Sequence, residues 1–181
     1  MPSVPFNELP DTARVWVFAS DRALLGDDAR MLLEQVDGFL AQWKAHGAPL
    51  RSARDWRDDH FLAIGVDPTV EQASGCSIDG LFRGLKTLES ALDTRLLGGS
   101  RVFYRDRSGR TRVAERREVT RLAESRDVDA STRVFDTSVT SAREWRERFE
   151  TTVANSWVSS LLQDSQASSR AATNSSSARN G

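Results

Sequence analysis

The chain has 181 residues, of which 39% are hydrophobic, and this length and composition are typical of a globular protein. Its formal net charge is −1, and its single cysteine is typical of proteins from a reducing compartment. This charge gives no support to a nucleic-acid or membrane partner, and no apolar run reaches the ~18 residues of a membrane helix. The N-terminus has neither the basic nor the apolar region of a signal peptide, so a cytoplasmic protein is expected.

The first predicted elements are an irregular arm, a strand and a helix. Residues 1–13 contain three prolines and predict the N-terminal arm. Residues 14–20 predict a strand buried on both faces, because both alternating sets of its side chains are apolar. Residues 27–46 have apolar side chains at helical spacing and predict a helix, with His46-Gly47 as its C-terminal stop.

The next elements are two strands, a second helix and a further strand. Residues 51–57 are polar and predict an edge strand, whereas residues 60–67 are apolar on both faces and predict a central one. Leucines at helical spacing predict a second helix over 77–96. Residues 101–105 predict a fourth strand, which a turn connects to 110–114.

The element order β-α-β-β-α-β predicts an α+β fold, a ferredoxin-like sheet with additional C-terminal helices. We expect a single domain over 14–162 and a disordered tail over 163–181, where no large apolar side chain offsets the entropy of ordering. Two helices cover only one face of such a sheet. The other face therefore requires the last helix, a second copy of the protein or a ligand.

Two further helices are predicted near the C-terminus. Residues 115–126 predict an arginine-rich helix, and Ser141 and Glu144 have the spacing of a capping box at the start of another. Apolar residues then recur every four positions, namely Trp145, Phe149, Val153, Trp157 and Leu161. This spacing predicts one helix that continues to the end of the domain and is a candidate to cover the second face of the sheet.

A thiol site is one hypothesis for the segment that precedes the second helix. Cys76 lies at the predicted helix N-terminus, where the dipole favours a thiolate. In the predicted topology His46 lies on the same edge of the sheet and would act as base. Asp79 would either orient this histidine or, as a carboxylate near the thiol, disfavour the thiolate. The structural alternative is that Cys76 is a small buried residue and that His46 only interacts with the dipole of the first helix.

An anion site is a second interpretation of the same segment. Ser74, Gly75 and Ser77 would offer backbone N–H groups and hydroxyls to an anionic ligand. The alternative is that Ser74 or Ser77 caps the helix, as serine commonly does.

Residues 101–126 contain nine arginines and four acidic residues, with aromatic side chains among them, and a nucleic-acid interface is the hypothesis for this segment. Its candidate contacts are Arg110, Arg112, Arg116 and Arg117. Because the whole chain is close to neutral, a solvated edge of an arginine-rich protein is the favoured alternative.

No metal site and no cofactor are expected, since two histidines and one cysteine cannot by themselves complete a closed zinc site. The motif GxxxxGK[ST] is absent, and the segment that comes nearest to it, residues 80–86, has the wrong spacing and lies inside a predicted helix. A P-loop nucleotide hydrolase is therefore not predicted.

Four segments carry a resemblance to a known family: VPFNELP at 4–10, FLAQWKAHG at 39–47, ASGCSID at 73–79 and VFD at 134–136. Together they resemble a family of short, uncharacterised bacterial proteins, found largely in Bacteroidetes, that often carry the label "ABC transporter ATPase". The resemblance covers about residues 4–162. The label implies a Walker motif, which this sequence lacks.

Three functions follow as expectations, although the sequence identifies no substrate or partner. The first is a non-catalytic binding or protein-interaction domain, in one form a homodimer through the open sheet face. The second is a thiol-dependent enzyme or redox sensor that uses Cys76 with His46. The third is a nucleic-acid accessory protein that uses residues 101–126.

Overall fold

The computed structural model describes residues 4–163, which belong to two units of the chain. Unit 1 contains the residues up to Gly99 together with Thr137–Phe149, and unit 2 contains Ser100–Asp136 and the residues from Glu150 onward. The predicted disordered tail lies outside the described residues, except for Gln163. In the described part of the chain, no helix is long and apolar enough to cross a membrane.

Both units combine helices with an antiparallel sheet, which confirms the predicted α+β class. The strands are β1 (Arg14–Ala19), β2 (Lys44–Ala45), β3 (Ala48–Pro49), β4 (Ser52–Arg57), β5 (Phe61–Val66), β6 (Arg101–Arg105), β7 (Thr111–Glu115), β8 (Arg133–Phe135) and β9 (Glu150–Thr152). The α-helices are α1 (Gly26–Gln42), α2 (Gly75–Ala91), α3 (Val119–Glu124) and α4 (Ala142–Glu147), and residues 158–163 form a last helical segment.

Unit 1 contains a three-stranded antiparallel sheet with the order β1-β5-β4. The apolar strand β5 is central, and the polar strand β4 lies at the edge, as their side chains predict. Phe18 of β1 and Trp56 of β4 both lie opposite Leu62 of β5. This face of the sheet and the apolar sides of α1 and α2 form the main core of the unit.

The strand predicted to be the fourth of this sheet, 101–105, lies in the sheet of unit 2 instead. The outer edge of β1 is occupied by two short segments of unit 1. Val15 N–H donates to Thr140 O at 2.8 Å, and Ala19 N–H donates to Leu96 O at 3.3 Å. Strands β1, β5 and β4 therefore have the order and directions of three neighbouring strands of a ferredoxin-like sheet. The complete ferredoxin-like topology is not confirmed.

Helix α1 ends at Gln42, four residues before its predicted end. Trp43 is already extended, with ψ 123°, and the chain turns back as the short hairpin β2–β3. His46 and Gly47 form the two-residue turn of this hairpin with φ of 51° and 84°. Such turns need positive φ at both positions, which explains the His-Gly pair. The prediction that His46 lies at the helix C-terminus is therefore wrong.

The second face of the sheet in unit 1 is covered by the N-terminal segment and α4. Phe61 of β5 is fully buried and meets Phe149 with ring centroids 4.9 Å apart. Gly65 lies under the short 3₁₀ helix Phe6–Glu8 and the following Leu9, and a Cβ at Gly65 would clash with the Leu9 side chain. The glycine thus permits the close contact that seals this face.

The predicted last helix is interrupted. The capping box is present, since Glu144 N–H donates to Ser141 Oγ at 3.2 Å and Ser141 N–H donates to Glu144 Oε2 at 3.2 Å. However, α4 stops at Glu147, and residues 150–152 form β9. Trp145 and Phe149 belong to unit 1, whereas Val153 belongs to unit 2. The β-branched residues Thr151 and Thr152 favour the strand over the helix at this point.

Unit 2 contains a four-stranded antiparallel sheet with the order β7-β6-β8-β9. Tyr104 of β6 lies opposite Arg112 on one side and Val134 on the other. One face of the sheet packs against α3 and the helical segment 158–163, with Val119 and Val158 in the core. The predicted helix over 115–126 consists of a 3₁₀ turn, Arg116–Glu118, followed by α3.

Candidate functional site

A groove of about 830 Å³ lies between α1 and α2 in unit 1. Its apolar residues include Val36 from α1 and Leu81, Leu85 and Leu88 from α2. These four side chains also belong to the main core, so core residues of unit 1 form the bottom of the groove. Its volume and lining are typical of sites for small molecules.

Three glycines leave the space that forms the groove. Gly38 belongs to α1, and Gly80 and Gly84 are four residues apart on the same side of α2. A Cβ at Gly38 or Gly84 would meet nothing within 4 Å, and one at Gly80 would lie 3.8 Å from Phe39 Cε2. Side chains at these positions would therefore enter the groove rather than clash with its walls.

Trp43 holds one end of the groove in place. Its indole N–H donates to Ser77 O at 2.9 Å, which connects the end of α1 to the first turn of α2. Trp43 also contacts Trp16 and Phe39, with ring centroids 6.1 and 5.5 Å apart. Only 3% of Trp43 is exposed, so this end of the groove has a rigid aromatic wall.

The groove contains one charged side chain, that of Lys44 at the Trp43 end, and no carboxylate. The other polar side chains that line it are neutral, namely Gln35, Gln42, Ser77 and Thr87. Lys44 is exposed, and among the described residues its ammonium group has no ion pair and no side-chain hydrogen bond. The groove is thus apolar, with Lys44 at one end and the Arg83 guanidinium beside it, 3.9 Å from the Cβ position of Gly80.

The structure shows no hydrogen bonds among the three side chains of the predicted thiol site in the described residues. Cys76 and Asp79 are both exposed on α2, and His46 is exposed in the β2–β3 turn. Within residues 4–163, no hydrogen bond joins any two of these three side chains. The alternative interpretation, that Cys76 is a small buried residue, is wrong, since Cys76 is exposed.

The serines of the predicted anion site cap the helix. Ser77 N–H donates to Ser74 Oγ at 3.3 Å, and Ser77 Oγ–H donates to Ser74 O at 2.8 Å. Gly75 is exposed in the same turn. Both hydroxyls thus stabilise the first turn of α2, in agreement with the structural alternative.

The arginines of the predicted nucleic-acid site lie in unit 2, and three of the four have partners within it. Arg112 and Arg110 lie 2.7 and 3.7 Å from Asp106 Oδ2. Hydrogen bonds from Ser108 and Arg112 hold the pKa of Asp106 well below its usual range, so this carboxylate stays charged. The Arg116 guanidinium stacks on Trp157 at 4.4 Å, and Arg117 is exposed. The carboxylate of Asp106 thus offsets part of the positive charge of Arg110 and Arg112, whereas Arg116 and Arg117 keep theirs.

The sequence interpretation did not identify the groove. Gly80 and Gly84 are visible in the sequence, and two glycines four residues apart in a helix lie on the same side of it, but this spacing does not by itself predict open space there. Among the described residues, no group of three or more His, Cys, Asp or Glu side chains could hold a metal ion.

The resemblance to the bacterial family stays a prediction. In comparisons with family models, curated proteins and solved structures, nothing matches this chain.

Proposed function

We propose that unit 1 is a non-catalytic binding domain, built on a ferredoxin-like sheet without its fourth strand, and that a small, mainly apolar molecule occupies the groove between α1 and α2. The observation that carries this proposal is the open volume of about 830 Å³ against the core. This volume lies within the ~300–1,000 Å³ that is common for ligand pockets.

The glycines support a role for the open space. Glycine inside a helix costs about 1 kcal/mol relative to alanine, and this groove is lined by three of them. Gly38 and Gly84 are exposed, and a Cβ at either position would meet nothing within 4 Å. The open space beside these glycines is consistent with binding in the groove.

The other proposals receive less support. The sheet face that prompted the homodimer proposal is covered by residues of unit 1, with Phe61 and Trp145 fully buried. For the thiol proposal, no hydrogen bond joins Cys76 to His46 or Asp79 among the described residues. An ATPase label needs a glycine-rich loop before a helix, whereas Gly80 and Gly84 lie inside α2.

A filling substitution tests the proposal. We expect the neutral fluorescent probe N-phenyl-1-naphthylamine to bind the wild-type protein saturably. Gly84→Leu places a side chain in the groove and should weaken probe binding by about tenfold or more, the equivalent of ~1.4 kcal/mol. The melting temperature should not fall, because leucine is a better helix former than glycine.

Ser90→Leu is the matched control, since Ser90 is an exposed residue of α2 that does not line the groove. This variant should bind the probe like the wild type. Equal binding by wild type and Gly84→Leu, or no saturable binding by the wild type, would contradict the proposal.

A further inference from the structure

We infer that the ligand of the groove is a monoanionic amphiphile, a molecule with an apolar body and a single anionic group that binds Lys44. This inference rests on the proposed function. It adds the charge, the polarity and the orientation of the ligand.

Lys44 is one of the few cations of unit 1 that have no ion pair among the described residues. Lys86, the only other lysine, donates to Glu89 Oε2 at 2.6 Å, and most arginines of unit 1 lie in ion pairs, such as Arg54 with Asp37 at 2.7 Å. In the described part of the chain Lys44 has no such partner, yet it lines an apolar groove without any carboxylate. An anion at this end of the groove would therefore meet a cation for which no carboxylate of the lining competes.

The first turn of α2 adds to the positive potential at the same end. Ser77 lines the groove and accepts the Trp43 indole N–H, so this turn lies beside the residue that precedes Lys44. The positive end of the dipole of this 17-residue helix is located here. Asp79 follows on α2 but does not line the groove. Two independent positive features thus meet at one end.

The rest of the groove determines the body of the ligand. From Ser77 to Leu88, both of which line the groove, α2 rises by roughly 16 Å at 1.5 Å per residue. The side chains at the far end, Gln35 and Thr87, are neutral. A second charged group would find no counter-ion there, so the geometry favours one anionic head on an apolar chain of medium length.

Competition against the neutral probe tests the inference. Dodecanoate, dodecan-1-ol and dodecylamine share a chain length and differ in charge, and each is used below its micellar concentration. We expect dodecanoate to displace the probe at a concentration about tenfold lower than dodecan-1-ol, a preference equal to one charge-assisted hydrogen bond. Dodecylamine should be the weakest competitor.

Variants of Lys44 assign the preference to its ammonium group. Lys44→Gln should bind the neutral probe normally and lose the preference for dodecanoate, and Lys44→Arg should keep most of it. Lys86→Gln is the matched control, because it removes the other lysine, which does not line the groove, and it should behave like the wild type.

The outcomes separate the two proposals. Equal displacement by dodecanoate and dodecan-1-ol, or a preference that survives in Lys44→Gln, would overturn the inference while probe binding leaves the proposed function intact. If the wild type does not bind the neutral probe at all, both proposals fail.

Discussion

Glu89 is a buried carboxylate that organises the chain after α2. It is 6% exposed, and its Oε1 accepts the N–H groups of Leu96 and Leu97, both at 2.7 Å, while Lys86 donates to Oε2. Burial by itself raises the pKa of Glu89, but the hydrogen bonds from Lys86, Leu97 and Leu96 outweigh it, so the pKa lies below its usual value. The charged form is therefore the one that stabilises the fold.

Glu89→Gln should lower the free energy of unfolding at pH 7 by about 1–3 kcal/mol, since a neutral amide cannot replace the charged acceptor. Because the pKa is lower in the folded state, the stabilisation is complete above the unfolded pKa of ~4.3 and is lost as the pH falls through the folded pKa. The difference between wild type and variant should therefore narrow toward pH 3. Urea unfolding at pH 7 and at pH 3 measures it.

Glu34→Gln is the control for this substitution. The Glu34 side chain is 65% exposed and lies 3.6 Å from Arg30, so its loss should cost less than about 0.5 kcal/mol. A similar loss of unfolding free energy in both variants would contradict the prediction. A loss for Glu89→Gln that does not change with pH would also contradict it, because the stabilisation would then not depend on the charge of Glu89.

Helix α4 is attached to the edge strand β4 by one polar cluster. The indole N–H of Trp145 and Nε of Arg57 both donate to Asp55 Oδ2 at 2.8 Å. The Arg57 guanidinium also lies 4.4 Å from the centre of the Trp145 ring. Since Trp145 is fully buried, the carboxylate satisfies an indole N–H that water cannot reach.

Trp145→Phe should retain an aromatic ring on the sheet but lose this hydrogen bond, and we expect the free energy of unfolding to fall by about 1–3 kcal/mol. Asp55→Ala removes the other partner of the same bond. The double variant should therefore lose less than the sum of the two single losses, as a double-mutant cycle by urea unfolding would show. Strictly additive losses would mean that the two side chains do not interact.

The covered sheet face of unit 1 leads us to expect that the protein is a monomer. Leu9 is 3% exposed, and Phe61 and Trp145 are fully buried, so the sheet face opposite α1 and α2 is covered within unit 1 and is not available to a second copy. We expect light scattering after size exclusion to give the monomer mass of 20.1 kDa. Trp145→Ala, which uncovers the face, should increase self-association. A dimer of the wild type that this substitution disrupts would contradict the prediction.

The parts of the fold that short segments control could be read from the sequence. Strands β1, β4 and β5 follow from side-chain alternation and from a polar edge. The two helix caps, Ser74 to Ser77 and Ser141 to Glu144, depend on hydrogen bonds between residues three apart. Such interactions need no information from distant parts of the chain.

The tertiary structure decided which edges the strands join and where the groove lies. Residues 101–105 are a strand by composition, but pairing with 111–115 and 133–135, rather than with β1, depends on contacts between distant segments. The four-residue spacing from Trp145 onward suits a helix, yet Thr151 pairs with Val134 and the helix ends.

The groove likewise depends both on local sequence and on contacts between distant segments. The glycines of α2 are visible in the sequence, and their spacing places them on one side of the helix. The groove exists only because α1, some 40 residues earlier in the chain, packs beside that side and brings Lys44 to one end of it. The sequence by itself thus determined the local elements and their caps. Packing determined the strand partners and the site, because both depend on which surfaces meet once the apolar faces are buried.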